Sequence, residues 1–186
     1  MGRNDELIDL VAELQVLDRV PRMGYLLRGV SEPESVAEHN FHVLFLVFAL
    51  GRQIPGLDLR RAFELALVHD LAEVRTGDLP KVAERYFEAG SKPTAERAVL
   101  EELLGPLADP GLALHDEYRA AATPEARLVK ACDKLQLMLK IHVYERWGAT
   151  GLGEFWRNPD NFPDYGFAPV RELFDALRRR HEESQR

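Results

Sequence analysis

An all-α fold is predicted for this chain of 186 residues, a bundle of about seven or eight helices around a buried polar centre. Three observations carry the prediction. Thirteen glycines and 11 prolines divide the sequence into segments of helical length. Nearly every segment repeats apolar residues at three- and four-residue spacing, and none shows the two-residue alternation of a strand. Several segments also open on a residue suited to cap a helix. A hydrophobic share of 46% over this length fits one compact domain, residues 1–186. Such a domain buries roughly 70% of its unfolded surface, so its core needs no disulfide or structural metal.

The first helix is expected over Asp5–Asp18, with Leu7, Leu10, Val11, Leu14 and Leu17 on one stripe. Arg19 to Pro33 holds two glycines and two prolines without a period and reads as an ordered connector, long enough to be functional. Ser35-Val36-Ala37-Glu38 is a capping box, so a second helix begins at Val36 and runs to about Gln53. Its middle, Phe41 to Leu50, is apolar nearly all round, which places Phe41, Phe45 and Phe48 in the core. Asp58 caps a third helix from Leu59 to about Arg75, ending near Gly77, and Asp78-Leu79-Pro80 starts a further short one. Thr94 caps a helix over Ala95–Leu104 that Gly105-Pro106 closes, and a shorter helix follows around Leu112–Ala122. Thr123-Pro124 opens a long helix to Trp147, with Leu128, Cys132, Leu135 and Leu139 on its apolar face. The tail from Ala168 to about Glu183 is amphipathic through Val170, Leu173, Phe174 and Leu177.

Composition excludes several function classes. Thirty-one acidic against 24 basic residues give a net charge of −7, and no basic run exceeds Arg178-Arg179-Arg180, which argues against a DNA or RNA polymer as partner. A small anionic substrate remains allowed, because a few cations or a bound metal override net charge locally. The single cysteine, Cys132, excludes a disulfide framework and a four-cysteine zinc site. With no apolar run near the roughly 20 residues of a membrane span and a polar start, the expected location is the cytoplasm, with no membrane partner.

Ionisable residues interrupt segments that otherwise read as core: His39, His69, Asp70, Glu73, Asp133, and Asp78 at a helix boundary. Buried charge is costly unless paired or bound to a metal. His69 and Glu73 are four apart and Asp70 and Glu73 three apart, so one helix would aim all three at one pocket. His39 and Asp133, on two other helices, complete the set. Two imidazoles and two carboxylates suit a divalent ion such as Mn²⁺, Co²⁺, Fe²⁺, Ni²⁺ or Zn²⁺, with positions left for water and substrate. Cys132 reads as a small buried hydrophobe, and His42 as structural.

The same residues carry a resemblance. A histidine, a His-Asp doublet thirty residues on, and an aspartate sixty-three residues after that resemble the metal-dependent phosphohydrolases of the HD superfamily. Asp18-Arg19-Val20-Pro21-Arg22, Glu34-Ser35-Val36-Ala37-Glu38-His39, Leu67-Val68-His69-Asp70-Leu71-Ala72-Glu73, Gly77-Asp78-Leu79-Pro80 and Lys130-Ala131-Cys132-Asp133-Lys134 are similar to the ordered motifs of its 5′-deoxynucleotidase branch. They span a core of about 14–144, followed by a helical extension of about 150–186.

The resemblance implies a central site in which His39, His69, Asp70 and Asp133 hold one divalent ion, Mn²⁺ or Co²⁺ first, with Fe²⁺, Ni²⁺, Zn²⁺ and Mg²⁺ admitted. It implies catalytic roles for Arg19, orienting the phosphate, for Glu73, handling the attacking water, and for Asp78, protonating the departing 5′-oxygen. Asp70, Asp133, Asp78, Leu79, Pro80 and Lys81 would contact the nucleotide, with Arg19 and Val20. Val20 stands where the branch often has a tryptophan crowding the sugar, which leaves ribose against deoxyribose open. The implied reaction removes the 5′-phosphate from (deoxy)nucleoside monophosphates. The alternatives are another phosphoester (a nucleotide analogue, a nucleoside triphosphate or a cyclic nucleotide) and a helical nucleotide-binding module without turnover. A homodimer is the implied assembly, and the aromatic stretch Phe155 to Tyr165 covers either the pocket mouth or a subunit contact.

Overall fold

The three- and four-residue spacing closes into helices throughout the computed structural model, which describes residues 2–184. In order these are α1 (Arg3–Leu14), α2 (Met23–Leu26), α3 (Val36–Gly51), α4 (Leu59–Val68), α5 (Glu73–Thr76), α6 (Lys81–Glu84), α7 (Ser91–Leu104), α8 (Ala108–Ala120), α9 (Pro124–Arg146), α10 (Gly153–Arg157) and α11 (Ala168–Ser184). Seven of them have ten residues or more, in line with the expected number, and the other four are single turns. Among the described residues there is no sheet, only an isolated bridge between Pro21 and Ser35. No described helix is long and apolar enough to cross a membrane.

The caps read from the sequence form at three helices. The Glu38 amide donates to Ser35 Oγ at 3.2 Å and the Ser35 amide to Glu38 Oε2 at 2.7 Å. Asp58 Oδ1 accepts from the Arg61 amide at 3.0 Å, and Thr123 Oγ1 from the Ala126 amide at 3.2 Å. Around these starts, α3 and α4 pack on α9, whose Leu128, Leu135, Met138 and Ile141 are fully buried. α11 joins the same core through Val170, Phe174 and Leu177. The last turn of α3 meets α4 so closely that a Cβ on Gly51 would stand 2.7 Å from Leu59 Cδ1.

Four expectations need correction. The third helix does not run through to Arg75. It ends at Val68, and the chain tightens into three-residue turns, Leu71 N to Val68 O at 3.3 Å and Glu73 N to Asp70 O at 3.0 Å. The His69 ring helps cause this, since its Nδ1–H donates at 2.7 Å to the Ala66 carbonyl, the acceptor that the next turn of helix would use. Second, Phe41, Phe45 and Phe48 are 65%, 59% and 44% exposed, because α3 buries the opposite face, Val36, His39, Val43 and Val47. Third, Leu7 and Val11 of α1 lie half exposed, and Leu10, Leu14 and Leu17 alone of that stripe pack inward. Fourth, α7 and α8 start about a turn earlier than their expected caps: α7 opens after Gly90, at φ 87°, which leaves Thr94 inside the helix.

Candidate functional site

His39 lies one turn into α3, where the capping box starts the helix; His69 and Asp70 occupy the tight turn after α4; Asp133 stands on the third turn of α9. Packing of these elements brings His39, His69 and Asp70 together, each with a ligating atom within 4.8 Å of the other two. Asp133 reaches the group through His39, its Oδ1 3.4 Å from His39 Nε2, while Asp70 Oδ2 lies 3.6 Å from that nitrogen and 3.3 Å from His69 Nε2. All four predicted ligands therefore converge. Both Nε2 atoms are buried without a hydrogen-bond partner. In His69 the proton sits on Nδ1, committed to Ala66, so Nε2 turns a lone pair toward a carboxylate. Acceptors facing acceptors in a buried site call for a cation, and this donor set fits a divalent one.

The carboxylates differ in charge state. Burial works to raise the Asp70 carboxyl, but the positive charge that His69 and His39 carry when protonated, together with Arg22, holds it below the usual range. Burial likewise opposes ionisation of Asp133, and Lys134, His39 and Arg22 more than offset it. At Glu73 the charges of Arg22 and Lys92 do not suffice: burial and the Asp70 charge push it up to about 10, and its Oε2 has no partner.

Arg22 is a candidate site residue that the sequence reading passed over. Its guanidinium donates to Asp78 Oδ1 at 2.8 Å and stands 3.7 Å from Asp70 and 4.0 Å from Asp133. Asp78 also accepts from the Met23 amide at 2.7 Å, so it caps α2 from across the site instead of starting the next helix, which begins after Pro80. The signal was present in the second arginine of Arg-Val-Pro-Arg. Arg19, by contrast, closes a short 3₁₀ turn and is exposed, away from the cavity, because the chain turns inward only afterwards, along Glu34 and Ser35. Val20 packs with Leu17, Val36 and Val74 in a small apolar cluster, not against the cavity.

A cavity of about 690 Å³ opens over these groups. Asp78, Leu79, Pro80 and Lys81 line it, and so do Phe155 and Asn158. Lys130 and Lys134, four apart on α9, add cations that were legible only as motif neighbours of Asp133; Lys130 lies over the Tyr118 ring, and burial together with Arg119 lowers its pKa. Cys132 is fully buried and its thiol pushed up by burial, as befits a packing residue.

Comparison with known proteins agrees with this geometry. The sequence profile of the HD domain matches residues 14–157. The chain is 35% identical over 146 residues, 76% of its own length and 70% of the relative's, to the 5′-deoxynucleotidase HDDC2 of Danio rerio. A conserved hypothetical protein from Pyrococcus furiosus has a similar structure, with a TM-score of 0.80 at 34% identity over 92% of this chain and 99% of that one. So has a predicted metal-dependent phosphohydrolase from Magnetospirillum magnetotacticum, with a TM-score of 0.68 at 27% identity over 96% and 94%.

Proposed function

The chain belongs to the HD-domain family, and we propose that it is a metal-dependent phosphohydrolase that removes the 5′-phosphate from (deoxy)nucleoside monophosphates, releasing a nucleoside and inorganic phosphate. One observation carries the reading. Two buried imidazole nitrogens without partners meet two carboxylates at the floor of a cavity whose walls bring in Arg22, Lys130 and Lys134.

In this reading His39, His69, Asp70 and Asp133 hold one divalent ion, Mn²⁺ or Co²⁺ first. The ion supplies Lewis-acid polarisation of the phosphoryl group and a water acidified for attack. The chain's own residues do the rest. Arg22 takes the place expected of Arg19: a planar guanidinium, aimed by Asp78, grips phosphate oxygens, with Lys130 and Lys134 as further cations. Asp78 accepts hydrogen bonds at both oxygens, which makes it the holder of Arg22 rather than a proton donor. In the metal-free site Glu73 is held protonated; with a bound cation offsetting the Asp70 charge that raises it, its carboxylate, unpartnered at Oε2, would take a proton from the attacking water and pass it to the departing 5′-oxygen. Leu79, Pro80 and Lys81 contact the nucleoside.

The net charge of −7 supports a small substrate over a polymer, and the lone buried cysteine suits the cytoplasm. We read residues 1–186 as one domain, since α11 shares the core of α3, α4 and α9. The exposed stripe of Phe41, Phe45 and Phe48 on α3 supports a homodimer formed over that face.

Phosphate release from ribo- and deoxynucleoside monophosphates, a nucleoside triphosphate and a cyclic nucleotide, with Mn²⁺ or Co²⁺ and again after chelation, tests the function. Metal-dependent release from the 5′-monophosphates is expected. A metal-loaded protein that releases none from any monophosphate overturns it.

A further inference from the structure

His39 and His69 have their rings held by different means. His69 donates to a backbone carbonyl, which no side-chain substitution alters. His39 Nδ1 lies 2.6 Å from Gln136 Oε1, and Gln136 Nε2 in turn donates to both oxygens of Glu34, at 3.0 and 2.9 Å. All three residues are buried. None of the polar atoms in this chain can be reversed singly. A carboxylate only accepts, so it must face the NH₂ end of the amide; the amide oxygen then faces His39, and Nδ1 must carry the proton. In the neutral ring this leaves His39 Nε2 as a bare lone pair, pointing between Asp70 and Asp133.

Glu34 is anchored for this task. Its amide donates to the Tyr144 hydroxyl at 2.6 Å, and Lys140 Nζ stands 3.3 Å from Oε2. Gln136, Lys140 and Tyr144 follow one another at four-residue intervals on α9, so one face of that helix holds the buried carboxylate in place. Neither Glu34 nor Gln136 lines the cavity, so neither has substrate to touch.

We propose that Gln136 and Glu34 are positioning residues: an anion behind an amide that fixes His39 in the Nδ1–H form, orients its ring and strengthens Nε2 as a metal ligand. The proposal rests on the metal-site reading above and adds to it two residues outside the ligand set.

The first test needs no metal. Long-range ¹H–¹⁵N correlation of the histidine rings in metal-free protein at alkaline pH is expected to show His39 as the Nδ1–H tautomer; the Nε2–H tautomer would overturn the proposal. The second follows Co²⁺ uptake by visible absorption. Gln136→Leu is expected to bind Co²⁺ about 10- to 100-fold more weakly, with an unchanged far-ultraviolet circular dichroism spectrum. The exchange Glu34→Gln with Gln136→Glu restores an acceptor for Nδ1–H and a donor behind it, and should return affinity to within about three-fold of the parent. Parental affinity in Gln136→Leu, or an exchange variant that binds more than about 10-fold more weakly than the parent, overturns the positioning role. Should Gln136→Leu fail to fold, the exchange pair and the tautomer decide. A parent protein that takes up no Co²⁺ sinks the metal reading itself and this role with it, an outcome distinct from a parent that binds while Gln136→Leu binds equally well.

Discussion

The two sides of the cavity are built in opposite ways. The floor stands on α3, α9, the turn after α4 and the start of α5, and its His39, His69 and Glu73 are buried. The rim stands on α6 and α10, helices of four and five residues, and its Lys81 is 70% exposed and paired only with the equally exposed Asp160. Helices that short do not persist without tertiary support, and an exposed ion pair contributes at most about 1 kcal/mol. The contrast separates two tasks. In the proposed reading the reacting groups are those held by packing, whereas the groups assigned to the far end of the substrate can change without disturbing them.

The largest effect is expected at the floor. Asp70→Ala removes a ligand contributed from a turn that packing holds, and phosphate release should fall at least about 10³-fold, since several kcal/mol of transition-state charge stabilisation go with the ion. Metal analysis should find the site depleted while helicity is retained. Parental turnover in this variant would break the distinction between floor and rim at once.

Glu73→Gln should lower kcat about 10²- to 10⁴-fold and shift stability the other way. In the metal-free protein the Glu73 carboxyl is raised from 4.5 to about 10 by burial and by Asp70. The folded state therefore keeps a proton that the unfolded chain loses above about 4.5, and stability declines as pH rises through that window. Glutamine does not titrate. Thermal melts of chelated protein should show parent and variant alike near pH 4.5, with the variant the more stable, by a few °C for each ~1 kcal/mol, at pH 9. A gap that narrows with rising pH would contradict the assignment.

Arg22 marks the boundary between the two sides, and its comparison with Arg19 sharpens it. Arg22→Met leaves Asp78, Asp70 and Asp133 without their shared counter-charge, a loss of about 3–5 kcal/mol for a broken buried pair. KM for a monophosphate should rise with it. Arg19→Met, on the surface, should change stability by no more than about 0.5 kcal/mol and leave KM near the parent's. Equal effects would return Arg19 to the phosphate. At the rim, Lys81→Ala should raise KM by only about two- to five-fold with kcat unchanged, as befits an exposed cation.

Much of this was legible in the residue order. Ser35 with Glu38, Asp58 and Thr123 mark helix starts by chemistry confined to four neighbouring residues, and each cap forms as read. His39, His69, Asp70 and Asp133 announced themselves because ionisable groups inside apolar stretches require a shared reason. The break after Val68 was not legible: the spacing of Leu65, Val68 and Ala72 suits a continuing helix, and the His69 ring bonding to Ala66 is a side-chain choice that spacing does not record. Nor was the exposure of Phe41, Phe45 and Phe48, since a helix apolar on all sides does not reveal which side its neighbours will cover.

The amino-acid order by itself determined which residues could bind a cation, where α3, α4, α9 and α11 start, and that the chain would be helical, because those properties depend on side-chain chemistry and on contacts within a turn or two. Only the tertiary structure decided which arginine enters the cavity, that Asp78 holds it, and that Gln136 and Glu34 stand behind His39. Those outcomes depend on the direction in which distant segments meet, Arg22 and Asp78 being separated by 56 positions in sequence and Glu34 and Gln136 by 102. Packing of the whole core sets that direction.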